Sequence, residues 1–76
     1  MLGIISHINP EGRFAYIRPD IYIEGAAPDG DVFVRAGELG KAGLRNVGRG
    51  DRVEFEAEPN KGRPGQFLAK NVRLAA

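Results

Sequence analysis

Glycine and proline set the scale of what this chain can build. Eleven Gly and five Pro stand mostly between short apolar runs and cut the 76 residues into pieces of about five to nine, too short for helices of ordinary length. The sequence therefore reads as all-β. A chain of this size makes one small domain, spanning residues 1–76, and buries only ~60% of its unfolded surface, which leaves little room for an elaborate catalytic cavity. Cysteine is absent, so disulfides, thiolate metal sites and thiol nucleophiles are excluded, and a reducing, cytoplasmic setting is expected. No apolar run approaches the ~18 residues of a membrane span and no signal-peptide pattern opens the chain, so no membrane partner is expected.

Five strands can be read between the punctuation. Leu2 to Asn9 is apolar and β-branched, Pro10-Glu11-Gly12-Arg13 has turn composition, and Phe14-Ala15-Tyr16-Ile17-Arg18 alternates before Pro19-Asp20 stops it. These predict a hairpin. Asp31 to Arg35 is a third strand, with Val32 and Val34 on one face and Asp31, Phe33 and Arg35 on the other. Between them, Ile21-Tyr22-Ile23 either extends the second strand or packs over a barrel edge.

Residues 36–50 hold five glycines and read as a long connecting loop in which Ala36 to Leu39 has room for one helical turn. Arg52 to Glu58 alternates cleanly, with Val53, Phe55 and Ala57 inward and Glu54, Glu56 and Glu58 outward; Pro59 to Gly65 is its exit turn. Phe67 to Leu74 closes the domain. There Ala69, Val72 and Leu74 share one face only if a bulge lies near Lys70-Asn71. Five short strands are too few for a sandwich with covered edges, so closure into a small barrel is the expected architecture.

Alternation then decides the surface. With Ile17, Val32 and Val34 inward, Phe14, Tyr16 and Arg18 of one strand and Phe33 and Arg35 of its neighbour face outward. The opposite register, with Ala15, Ile17, Val32 and Val34 outside, is weighed down by Arg18 and Arg35, which share parity with the rings. Exposed rings grouped in this way mark a binding surface, and unstacked bases suit it because every base has a π face. The net charge is only +1, yet it is patterned: residues 20–34 carry −4, 35–52 carry +3, 53–59 carry −3 and 60–76 carry +4. Eight of the 11 cations are Arg, whose planar fork suits phosphate and whose flat face suits a ring.

At these residues the chain resembles the cold-shock domain, a five-stranded antiparallel OB-type barrel that binds single-stranded RNA and DNA. Gly12-Arg13-Phe14-Ala15-Tyr16-Ile17 is similar to that family's Lys-Gly-Phe-Gly-Phe-Ile, Pro19-Asp20 to its Pro-Asp, and Asp31-Val32-Phe33-Val34-Arg35 to its Asp-Val-Phe-Val-His. Gly50 to Phe55 resembles its Gly-x-x-Val-x-Phe strand, and Ala69-Lys70-Asn71-Val72 its closing Ala-x-Asn-Val. The resemblance implies that Phe14, Tyr16 and Phe33 stack on bases, with Arg35 where the family places His. It also implies an RNA chaperone or a regulator of transcription or translation. The platform is thinner than the family's: His7 aligns with its Trp, Ile8 and Ala36 with Phe, and Leu44 with its loop Phe.

The remaining candidates follow from position. His7 aligns with a stacking residue of that family; Arg13 and Arg18 flank the rings; Lys61 and Arg63 in the last turn and Arg45 beside Leu44 are placed for phosphate. No enzyme is expected. The single Ser, Ser6, adjoins His7, and strict alternation sends the two to opposite faces, so they form no nucleophile–base pair. Asp29-Gly30-Asp31 lacks the spaced oxygens of a cation loop, and Gly37 to Ala42 lacks the spacing and hydroxyl of a phosphate loop. Accordingly no cofactor, metal or small-molecule substrate is expected. A rival reading is an OB-type protein-interaction module, in which the same rings and Ile21-Tyr22-Ile23 dock another chain or a second copy of this one.

Overall fold

A computed structural model describes residues 1–11, 13–26, 30–41 and 48–75. It contains five strands, β1 (Leu2–Ile8), β2 (Phe14–Pro19), β3 (Val32–Arg35), β4 (Arg52–Pro59) and β5 (Phe67–Leu74), and one short helix, α1 (Ala36–Lys41), between β3 and β4. The strands close into a barrel in the order β1-β2-β3-β5-β4, the OB-type arrangement. Four of the ladders are antiparallel; the seam between β3 and β5, at Phe33 opposite Leu68, is parallel. Among the described residues, closure leaves no edge strand to template aggregation, which is how so small an all-β chain protects its backbone.

The interior is built from the residues whose alternation pointed inward. Ile5, Ala15, Ile17, Val32, Val34, Val53, Phe55, Ala69 and Val72 form one buried cluster, with Ile8, Ile23, Ala57 and Phe67 packed partly buried against it. The previously open fragment after β2 is thereby settled: β2 ends at Pro19, Ile23 packs on the barrel, and Ile21 and Tyr22 are exposed. A hydrogen bond from the Tyr22 hydroxyl to the Ala26 carbonyl, at 2.6 Å, pins this loop onto itself.

Two β-bulges set the registers. In β5, Lys70 faces Glu56 while Arg73 faces Glu54, so β5 carries one extra residue, and Asn71 takes φ 52° to accommodate it. The bulge lies where Ala69 and Val72 required it. Leu74 departs from the expected inward set: it pairs with Val53 but, at the end of β5, is 58% exposed. In β1, Ile5 faces Ile17 and His7 faces Tyr16, leaving Ser6 as the extra residue.

Within the loop expected over residues 36–50, the helical turn at Ala36 to Leu39 is present and runs on to Lys41 as α1, which packs against β3 and β5; residues 42–47 lie outside the described residues. The buried carboxylate of Glu38 explains the docking. It accepts the backbone N–H of Asn71 at 3.1 Å, so the helix satisfies a donor that the bulge removes from the ladder. At the other end of the barrel, Gly3 permits close contact of β1 with β2. A Cβ there would lie 2.6 Å from the Arg18 carbonyl oxygen and 2.7 Å from Ile17 Cγ2. Among the described residues, no helix is long and apolar enough to cross a membrane.

Candidate nucleic-acid interface

The outer face of β1, β2 and β3 gathers rings. Tyr16 and Phe33 are direct cross-strand partners with centroids 5.5 Å apart, and Phe14, one pleat along β2, lies 5.9 Å from each of them. His7 extends the group from β1, at 6.2 Å from both Phe14 and Tyr16. These separations fall in the range of tilted and edge-to-face aromatic pairs. Phe14, Tyr16 and Phe33 are half-buried and His7 is exposed, so none of the four belongs to the core. The register that places the rings outside is the one adopted.

His7 reaches this face through the β1 bulge. Strict alternation from the buried Ile5 would turn His7 inward and Ile8 outward; the extra residue at Ser6 reverses both, and Ile8 packs against the core instead. The same bulge corrects the expectation that Ser6 and His7 point to opposite faces. Both line one groove, although the Ser6 hydroxyl is engaged by the Asp31 carboxylate and, at 3.3 Å, by the Tyr16 carbonyl.

The cations are distributed unevenly around the rings. Arg35, opposite Phe14 in the β2–β3 ladder, is exposed and forms no ion pair with any described residue. Arg18 lies 3.7 Å from the half-buried carboxylate of Asp31, and Arg13 pairs with Glu11 at 3.0 Å, a well exposed pair of small energetic weight that a phosphate can displace. Arg63, in the turn between β4 and β5, lines the groove with His7, Tyr16 and Arg18. Lys61 is exposed in the same turn but does not line the groove. Arg45, Leu44 and Gly12 lie outside the described residues.

On β4, the row Glu54, Glu56 and Glu58 is a neutralised exterior. Glu54 pairs with Arg73, Glu56 accepts from the Asn71 side-chain amide, and Glu58 lies 3.8 Å from Lys70. These carboxylates are engaged on β5's flank of the barrel, while the ring face has Arg13, Arg18, Arg35 and Arg63 near it. Among the described residues, no group of three or more His, Asp or Glu is placed to hold a metal ion.

The groove itself was not anticipated as a unit. It has a volume of about 460 Å³ and joins Ser6, His7 and Tyr16 of the barrel wall to Asp31 before β3 and to Arg63 and Gln66 of the last turn. Asp31 had a signal, since it shares the outward parity of Phe33 and Arg35. Ser6 and Gln66 had none, because one depends on a bulge and the other on how a turn folds back.

Comparison with known proteins adds no family: no protein-family model matches the chain, and no curated protein matches it.

Proposed function

We propose that this domain binds single-stranded RNA or DNA in the manner of the cold-shock domains it resembles, stacking bases on Phe14, Tyr16 and Phe33 and contacting phosphates or base edges with Arg35, Arg18, Arg13 and Arg63. His7 adds a fourth ring, and Lys61 contributes charge near the groove. The observation that carries this reading is the contiguous four-ring surface, part-exposed and flanked by Arg35, which forms no ion pair with any described residue. Each base stacked on a ring contributes ~1–3 kcal/mol before the flexible strand pays its ordering entropy, so micromolar affinity follows.

The reading assigns no catalytic step and no cofactor. By binding only the unpaired form, the protein shifts the folding equilibrium of the nucleic acid by mass action, the action of an RNA chaperone or a regulator of transcription or translation in the cytoplasm.

A second reading has one observation in its favour. Met1, Leu2, Ile21 and Tyr22, between 42% and 77% exposed, line a separate apolar groove with Asp20 and Glu54, a surface suited to a protein partner. Titration of a fluorescent pyrimidine-rich oligonucleotide at several salt concentrations separates the two. The nucleic-acid reading expects saturable binding with a log–log salt slope of about −2, for roughly three phosphate contacts. An interaction module gives no saturable binding.

A further inference from the structure

We infer that the groove beside His7 and Tyr16 is a base-reading subsite that selects guanine. The inference rests on the nucleic-acid reading above and adds to it the identity of one base. Its basis is the order of hydrogen-bonding groups along the groove. Asp31 lines the groove with two carboxylate oxygens on a side chain that keeps 24% of its surface exposed. Arg18 Nε lies 3.7 Å from Asp31 Oδ1, which sets a guanidinium donor next to the acceptors. The Ser6 hydroxyl donates to Asp31 Oδ2 and so fixes the carboxylate while leaving that oxygen one further lone-pair site, since each carboxylate oxygen has two.

An acceptor, acceptor, donor row is complementary to one Watson–Crick edge only. Guanine presents the N2 amino group and N1–H as adjacent donors and then O6 as an acceptor, so a carboxylate takes the first two and a guanidinium meets the third. Uracil and thymine flank their single N3–H with two carbonyl oxygens, which a carboxylate repels. Cytosine and adenine each offer one amino donor followed by a ring-nitrogen acceptor, which also faces the carboxylate unfavourably. Charge-assisted bonds to an ionised acceptor are the strong ones, and a mismatch leaves a polar group of the site unpaired. The rings of His7 and Tyr16 line the same groove and give the selected base a surface to stack on, the usual way unpaired bases are held while their edges are read. Arg63 at the groove's other wall is placed for the adjoining phosphate.

The test compares heptanucleotides of uridine in which the central position is uridine, guanosine or inosine, titrated against the intact protein by fluorescence anisotropy. The guanosine oligonucleotide is expected to bind at least tenfold more tightly than the all-uridine one. Inosine, which lacks the N2 amino group, falls between them. Asp31→Asn replaces one acceptor by a donor and removes the preference for guanosine over uridine. Equal binding of the guanosine and uridine oligonucleotides by the wild-type protein overturns the inference and leaves the nucleic-acid reading standing. So does a guanosine preference that survives in a folded Asp31→Asn protein. Absence of saturable binding to all three overturns both.

Discussion

His7 stands opposite Tyr16 across the β1–β2 ladder, and it does so because Ser6 is an extra residue in β1. Absorbing Ser6 as a bulge thus keeps a polar ring outside and an isoleucine inside. Deleting Ser6 leaves Ile5, His7 and Ile8 in strict alternation on the faces they already occupy, and removes only the hydroxyl that bonds Asp31. The deletion is expected to cost about 1 kcal/mol, the scale of one hydrogen bond, read as a slightly lower urea midpoint. Loss of the cooperative transition would mean that Ser6 is not simply an extra residue in this ladder.

Phe33 is the platform ring contributed by β3, and it pairs with both Phe14 and Tyr16 of β2. Phe33→Ala loses two aromatic pairs worth ~0.5–1.5 kcal/mol each, yet the core beneath is unchanged. The variant should unfold in a single cooperative transition at reduced Tm and bind an oligonucleotide ~1–3 kcal/mol more weakly. Loss of cooperative unfolding on thermal denaturation would instead assign the ring to the core.

Gly3 is required by space rather than by backbone conformation. In Gly3→Ala the new methyl meets the Arg18 carbonyl oxygen at 2.6 Å, a backbone atom that cannot turn aside, so β1 and β2 must separate. The expected cost is ~1–3 kcal/mol in chemical denaturation, the usual range for overpacking. A neutral substitution would contradict the close packing of the two strands.

Asn71 holds the β5 bulge with a left-handed backbone, φ 52°, and its N–H is received by the buried Glu38. Asn71→Ala should cost ~1–2 kcal/mol and Asn71→Gly less, because glycine has no Cβ to strain in that region. Glu38→Ala should cost ~1–3 kcal/mol by leaving the amide without its acceptor. Equilibrium unfolding of the three variants checks the order; an alanine variant as stable as the glycine one would place the strain elsewhere.

Much of this was legible in the chain because period-two alternation is unambiguous where charged residues interrupt it. Glu54, Glu56 and Glu58 fix the faces of Val53 and Phe55, and Arg18 and Arg35 fix those of the neighbouring rings. The β5 bulge was legible for a related reason, since Ala69 and Val72 are three residues apart and still both inward. The β1 bulge was not, because Ile4, Ile5 and Ile8 fit either face and nothing charged marks a register. Leu74 was misplaced for want of knowing where the barrel ends. The groove is tertiary in origin: Arg63 and Gln66 reach Tyr16 only when the turn between β4 and β5 folds across the barrel, and no local pattern announces that.

The most direct test of the central claim is residue-resolved chemical-shift mapping during titration with a single-stranded oligonucleotide. Stacking on the β1–β3 face predicts the largest, saturable shifts at His7, Phe14, Tyr16, Phe33 and Arg35, with Met1, Leu2, Ile21 and Tyr22 unmoved. Shifts confined to that second group, or none at all at saturating oligonucleotide, would contradict it.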